Sequence, residues 1–258
     1  MSIDPYPWRT FFVLYAAGLI GAMAVIPYSA ALIRPKLEGR RLTVRTALVL
    51  QFLQTTVFLG LSVWLGLRAA RATGLARDVT GPWQLTGGVL VAAVIGLIAA
   101  VIVCIVDALL LLPRVPELRE ASRPLLALPL GKRMLAAIYG AFAEELIMRL
   151  GIFSLLVWAA QSLAGVATLA VLWTVNVIVS LLFGASHLPA AAALVRLRPM
   201  MVVRTLTING ALSLAFGFAY FRFGLLAAIS SHLAADIVLQ LAGELANPRM
   251  SPDRRSPD

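Results

Sequence analysis

The sequence contains few charged residues, a single cysteine and only two histidines. Charged residues make up 13% of the chain, against about 25% in soluble globular domains. Apolar residues make up 60%, and the mean hydropathy is +0.90, so a soluble fold of this length could not bury them. The lone Cys104 excludes an intrachain disulfide and a zinc site built from cysteines. The composition therefore predicts an integral membrane protein.

Long apolar runs predict how often the chain crosses a bilayer, since a helix needs about 20 apolar residues to cross it. We expect an all-α transmembrane helical bundle of about seven spans, within a range of six to eight, forming a single domain over 1–246. The first run is too long for a cleaved signal peptide. Residues 188–195 are expected to form a re-entrant or surface helix, and the polar tail 247–258 to be disordered. The approximate spans are 10–33, 46–67, 84–112, 134–160, 164–187, 200–221 and 224–243.

The positive charge indicates membrane orientation rather than a nucleic-acid partner. The formal net charge is +10, but no basic groove with stacking aromatic residues accompanies it, so we expect no nucleic-acid partner. Lysine and arginine are concentrated in alternate connectors, which face the cytoplasm under the positive-inside rule. This distribution predicts an N-terminus outside and a C-terminus in the cytoplasm. The richer connectors are 34–45, 114–133, 196–204 and 249–255.

Ionisable side chains inside the predicted spans are energetically unfavourable in lipid, so each points to a function or to a partner. Asp107 is expected to be structural: it would pair with Arg149, face a water-filled cavity, or lie in a connector that starts before residue 112. Arg204, in the first turn of the sixth span, is expected to reach the headgroups. Asn176 and Asn209 are expected to hydrogen-bond between helices. The ionisable side chains at membrane depth are Asp107, Glu144, Glu145, Arg149, His187, His232 and Asp236.

Helical spacing suggests separate tasks for these groups. Glu145 and Arg149 are four residues apart, which favours an ion pair. Glu144 points about 100° away from Glu145 on a regular helix and would be free for another task. His232 and Asp236 are also four apart, so the carboxylate could accept a hydrogen bond from the imidazole and fix its tautomer.

The depth of these residues predicts that they meet. Glu144 and His232 each lie roughly 15 Å from the cytoplasmic end of their spans, and His187 lies closer to that end. We therefore expect the three side chains to surround one polar cavity that opens to the cytoplasm, within about 8 Å of one another.

Three short motifs follow one another on separate predicted helices: EExxxR at 144–149, FxxxH at 183–187 and HxxxD at 232–236. Together they resemble the CAAX protease and bacteriocin-processing family of intramembrane proteases. The resemblance covers about 134–243, which it implies to be the catalytic core. It also implies that Glu145 and Arg149 are structural supports.

The resemblance implies an intramembrane endopeptidase that acts on a membrane-embedded or lipidated peptide or protein. Glu144 would be the general base that activates a water molecule, and His187 would help to hold that water. His232 and Asp236 would stabilise the oxyanion. Eukaryotic-type members resemble HxxxN in the last motif, whereas other prokaryotic members also use Asp, so Asp236 is a variant of the motif. We expect the protein in the cytoplasmic membrane of a prokaryote. An ionised Asp236 would orient His232 rather than donate to the oxyanion itself.

Two alternatives remain open from the residues. Glu144, His187 and His232 could instead form a zinc site with one open position for water, although a reaction without a metal or another cofactor is favoured. The polar cluster could also belong to a peptide-binding or bacteriocin-immunity protein, or to a proton-coupled transporter.

Overall fold

The computed structural model describes residues 7–39, 41–75 and 87–245. Within these ranges the chain is almost entirely helical and forms no strand. The predicted tail 247–258 lies outside the described residues. The helices are α1 (Trp8–Ala24), α2 (Ile26–Leu37), α3 (Val44–Thr73), α4 (Gly87–Arg114), α5 (Glu117–Leu126), α6 (Leu130–Ala164), α7 (Leu169–Ser186), α8 (Leu188–Leu194), α9 (Pro199–Phe223) and α10 (Leu225–Leu245).

The number of membrane-spanning helices agrees with the sequence prediction. Six helices of the described chain are long and apolar enough to cross a bilayer, and the bent pair α1–α2 makes a seventh if it crosses as one span. The most apolar stretch of α4 is only 28% buried, so most of its apolar side chains face outward, as expected for a helix in lipid. The all-α, multi-spanning fold is therefore confirmed.

The first predicted span, 10–33, is not one straight helix. Helices α1 and α2 meet at a bend of 42°, and Pro27 lies in the first turn of α2. Proline has no N–H group to continue the hydrogen-bond ladder, and its ring clashes with the preceding turn, so the helix breaks there. The break turns α2 away from the axis of α1.

Two short helices lie between the spans. α8 occupies Leu188–Leu194, as expected for the segment 188–195. α5 is absent from the sequence prediction because it is short and carries charged side chains. It buries Leu118, which packs in a cluster with Ala191 and Met201. α5 therefore covers the junction of α8 with the start of α9.

Small residues allow the spans to approach closely, as is common in membrane bundles. A Cβ atom at Gly96 of α4 would overlap the carbonyl oxygen of Ser231 on α10. A Cβ atom at Gly66 of α3 would similarly overlap the backbone of Leu150 on α6. The two close contacts fix the helices that carry His232 and Glu144.

Asp107 and Arg204 form an ion pair with each other, which was not expected from the sequence. Arg204 donates from Nε to Asp107 Oδ1 at 2.7 Å and from Nη2 to Oδ2 at 2.6 Å. Asp107 therefore does not pair with Arg149, and Arg204 is bonded within the protein instead of reaching the headgroups. The pairing follows from the fold, since the end of α4 lies beside the start of α9.

The two intramembrane asparagines differ in their hydrogen bonds. Asn176 of α7 donates to the carbonyl of Leu214 on α9 at 3.0 Å, an interhelical bond as predicted. Asn209 instead donates to the carbonyl of Thr205 in its own helix at 2.9 Å, so that prediction was wrong. Asn209 lies in the wall of the cavity described next.

Candidate active site

The four residues predicted to be catalytic line one cavity of about 690 Å³. Glu144 lies on α6, His187 at the junction of α7 and α8, and His232 and Asp236 on α10. Side chains of α2, α3 and α9 complete the wall. The fold therefore brings together groups that are separated by as many as 92 positions in the chain, from 144 to 236.

The Nε2 atom of His232 lies between two carboxylates. It is 4.0 Å from Glu144 Oε2 and 3.7 Å from Asp236 Oδ2. Both distances are too long for a direct hydrogen bond, but they leave room for a bridging water or a substrate oxygen. The side chains of Glu144 and Asp236 are 20% and 22% exposed, so they face the open cavity while His232 is buried.

The other nitrogen of His232 is held by Glu145. Nδ1 of His232 lies 2.6 Å from Glu145 Oε1. Since a carboxylate only accepts, Nδ1–H donates this bond. The sequence predicted that Asp236 would fix the tautomer, but Asp236 lies on the Nε2 side of the ring. Glu145 therefore orients His232 so that Nε2 faces the cavity.

Arg149 holds Glu145 in turn. Its Nη1 donates to Glu145 Oε1 at 3.0 Å, which is the pair expected from the spacing. Its Nη2 donates to the carbonyl of Ser213 at 2.9 Å and to the hydroxyl of the same residue at 2.6 Å. Both members of the ion pair are fully buried. The result is a buried chain of hydrogen bonds from Ser213 on α9 to His232 on α10.

Ser213 was missed by the sequence analysis. A single serine within an apolar span has no neighbouring polar pattern, and serine is also common where helices merely pack closely. Its contact with Arg149 depends on how α9 lies against α6, which the spacing of residues within one helix does not reveal.

The middle of α6 is wider than an ordinary α-helix. Residues Gly140–Glu144 and Leu146–Phe153 have π-helical hydrogen bonding, whereas the sequence analysis assumed regular α-helical spacing. Such segments are rare and often occur at functional sites. The widened segment of α6 carries Glu144 and Arg149 and lies beside His232.

His187 is oriented by the end of α7. Its Nδ1 lies 2.8 Å from the carbonyl oxygen of Phe183, and a carbonyl only accepts, so Nδ1 carries the proton. The ring also packs 4.7 Å from the ring of Phe183. In the neutral imidazole, Nε2 then has a free lone pair that can accept a hydrogen bond from water in the cavity.

Gly140 provides the space that His232 and Asp236 occupy. A Cβ atom on Gly140 would lie 2.9 Å from His232 Nε2 and 3.0 Å from Asp236 Oδ2. Gly140 lies one helical turn before Glu144. Gly140, Glu144, His232 and Asp236 therefore pack around one point. The role of Gly140 was not predicted, because an isolated glycine in an apolar helix has no distinctive pattern.

We predict that Gly140→Ala lowers kcat for peptide cleavage by at least about tenfold, because misplacement of about 1 Å in a catalytic group has effects of up to about 10²-fold. Gly131→Ala in the same helix is the control, since nothing lies within 4 Å of the added Cβ atom. Circular dichroism and size-exclusion chromatography in detergent should show both variants folded. A folded Gly140→Ala variant with the wild-type kcat would contradict this role.

The sequence also allowed a zinc centre in this cavity. In the part of the chain that the structure describes, no three His, Cys, Asp or Glu side chains are arranged to hold a metal ion. The two histidines use Nδ1 for Glu145 and for the Phe183 carbonyl. These bonds leave Nε2 of each histidine for the cavity, which is compatible with water activation by Glu144 and also with a metal-ligating histidine.

A match to a known protein family covers the helices that carry these site residues. Residues 127–238 match the model of the family described as type II CAAX prenyl endopeptidase, Rce1-like. These residues form an Rce1-like domain of the CAAX protease family. The predicted family resemblance is confirmed. No curated protein and no solved structure matches the chain. The Rce1-like domain contains every predicted site residue, while α1 to α5 precede it.

A second, smaller chamber adjoins the candidate active-site cavity. Its volume is about 330 Å³, and both spaces are bordered by Tyr28, His187 and Asn209. Most of its lining side chains are apolar, and Asp107 and Arg204 in its wall neutralise each other. The chamber therefore offers an apolar space beside the candidate catalytic groups.

Proposed function

We propose that this protein is an intramembrane endopeptidase that hydrolyses a peptide bond in the cavity around Glu144. The observation that carries the proposal is the meeting of Glu144, His187, His232 and Asp236 in one cavity of an Rce1-like domain. By membership of the CAAX protease family, its substrates would be prenylated, lipidated or otherwise membrane-associated proteins or peptides.

In the proposed reaction, Glu144 accepts a proton from a water molecule that also donates a hydrogen bond to Nε2 of His187. The resulting hydroxide attacks the carbonyl carbon of the scissile bond and forms a tetrahedral oxyanion. Glu144 then returns the proton to the amide nitrogen, and the C–N bond breaks to give a carboxylic acid and an amine. The acid proton then passes to the amine, which leaves a carboxylate and an ammonium group.

His232 would stabilise the oxyanion through its Nε2–H group. This role requires the imidazolium form, because Nδ1–H already donates to Glu145. Glu145 and the nearby Asp236 favour that positive charge, and Arg149 compensates the charge of Glu145. Asp236 acts in this proposal as a counter-ion that positions His232, and it does not touch the oxyanion.

We further propose that the cavity opens toward the cytoplasm, in the cytoplasmic membrane of a prokaryote. Three of the segments rich in lysine and arginine, 34–45, 114–133 and 196–204, lie at the end of the bundle that includes the end of α2, α5 and α8. Lys36 at the end of α2 donates to the carbonyl of Ala192 on α8, and Arg198 lies 3.7 Å from Glu117 on α5. The positive-inside rule assigns this end to the cytoplasm.

The test uses purified protein in detergent and a synthetic peptide with an S-prenylated cysteine in a C-terminal CAAX sequence. Mass spectrometry should show one new pair of termini, and the Glu144→Gln variant should not form them at a comparable rate. Binding of the peptide without cleavage by the wild-type protein would contradict an endopeptidase and favour a peptide-binding function.

A further inference from the structure

Helix α2 forms one wall of the catalytic cavity although it lies outside the Rce1-like domain. Side chains of Tyr28, Ser29, Leu32 and Ile33 line that cavity. The bend of 42° between α1 and α2 starts just before Pro27, and it sets the direction in which α2 runs past the site. The N-terminal helices therefore contribute to the active site as well as to the bundle.

Two hydrogen bonds hold α2 in this position. Gln51 of α3 donates from Nε2 to the hydroxyl of Ser29 at 3.1 Å. Lys36 donates from Nζ to the carbonyl of Ala192 at 3.2 Å, in the short helix that directly follows His187. Because hydrogen bonds to α3 and to α8 hold α2 in place, the side chains of α2 that face the cavity have defined positions before a substrate binds.

Tyr28 is the polar aromatic residue of this wall. It borders both the catalytic cavity and the apolar side chamber, and it lies close enough to Arg133 and Asp236 to interact with both electrostatically. None of the hydrogen bonds found among the described residues involves its hydroxyl. By contrast, Tyr139 in the same cavity is hydrogen-bonded to Thr55. The Tyr28 hydroxyl therefore has hydrogen-bonding capacity to offer a ligand.

The other polar groups of the cavity suggest a role for the Tyr28 hydroxyl as a hydrogen-bond donor. A peptide in an apolar site needs donors for its carbonyl oxygens, because an unpaired buried polar group is strongly unfavourable. Ionised Glu144 and Asp236 only accept hydrogen bonds. A phenol is a neutral donor, so it can bond a peptide carbonyl without adding charge to the site.

We propose that Tyr28 is a substrate-binding residue whose hydroxyl donates a hydrogen bond to a backbone carbonyl of the peptide, next to the scissile bond. The residue that follows this carbonyl would be directed toward the apolar side chamber. This inference rests on the proposed peptidase function, and it adds a contact from outside the Rce1-like domain.

The test compares wild type with Tyr28→Phe, which removes only the hydroxyl, on an S-prenylated CAAX peptide that carries a fluorophore and a quencher. We expect KM to rise about fivefold to tenfold, as for the loss of one hydrogen bond, with kcat within about twofold of wild type. Tyr15→Phe is the matched control, because the Tyr15 hydroxyl bonds the Thr56 carbonyl and does not border the cavity. Equal KM values for wild type and Tyr28→Phe would overturn the proposal.

A binding measurement separates this inference from the proposed function. The dissociation constant of the same peptide is measured by fluorescence anisotropy with Glu144→Gln and with the double variant Glu144→Gln/Tyr28→Phe. A rise of about fivefold to tenfold in the double variant supports the contact, even if the wild-type protein cleaves nothing. An unchanged dissociation constant, or no binding by either protein, rejects it.

Discussion

Glu144→Gln is expected to lower kcat by roughly 10²–10⁴-fold, the usual contribution of a general base. Glutamine keeps the size and the hydrogen-bonding capacity of the side chain, but it cannot accept the proton of the attacking water. Since the Glu144 side chain faces the cavity, the amide can be solvated there and the fold should survive. Initial rates of peptide cleavage at saturating substrate provide the measurement.

Glu120→Gln is the control for this substitution. Glu120 is 67% exposed on α5 and pairs with Arg123, outside the cavity, so its loss should leave kcat unchanged. His187→Ala should also be severely defective, because the water loses its second hydrogen-bonding partner. A kcat for Glu144→Gln within about threefold of wild type would exclude Glu144 as the base.

The second large effect concerns stability. Arg149→Ala is expected to reduce the free energy of unfolding by about 3–5 kcal/mol, the usual result of removing one partner of a buried ion pair. The variant leaves Glu145 buried with His232 as its remaining partner and also removes the bonds to Ser213. Activity should fall as well, because Glu145 positions His232.

Thermal or denaturant unfolding in detergent measures this difference. Arg123→Ala is the matched control, since Arg123 and Glu120 also form an intrahelical pair but are 62% and 67% exposed. Exposed pairs contribute about 0–1 kcal/mol. If the two variants unfolded with the same free energy, the buried chain through Arg149 would not have the structural role described.

The sequence predicted the bundle well because length and hydropathy determine where a helix can cross a bilayer. It also predicted the bond between Glu145 and Arg149, which depends only on spacing within one helix. The bend before Pro27 was not predicted, although proline often breaks a helix. A proline near a helix end is also compatible with a continuous span. α5 was missed because its hydrophobic face is too short to resemble a span.

The relations between helices could not be predicted from spacing. Arg149 was one possible partner of Asp107, but Asp107 pairs with Arg204 on a helix whose position the sequence does not reveal. Similarly, Asp236 was expected to fix the tautomer of His232 because it is four residues away. Glu145, which lies on another helix, fixes the tautomer instead. The π-helical widening of α6 contributes to the direction of the Glu145 side chain.

The claim that a carboxylate, and not a metal ion, activates the water is tested most directly by metal dependence. Purified active protein is dialysed against EDTA, its zinc content is measured by mass spectrometry, and the rate of peptide cleavage is compared before and after. We expect a zinc content well below one ion per chain and an unchanged rate. Loss of activity on dialysis, with recovery only when zinc is added, would show that the histidines are metal ligands and would contradict the proposed role of Glu144.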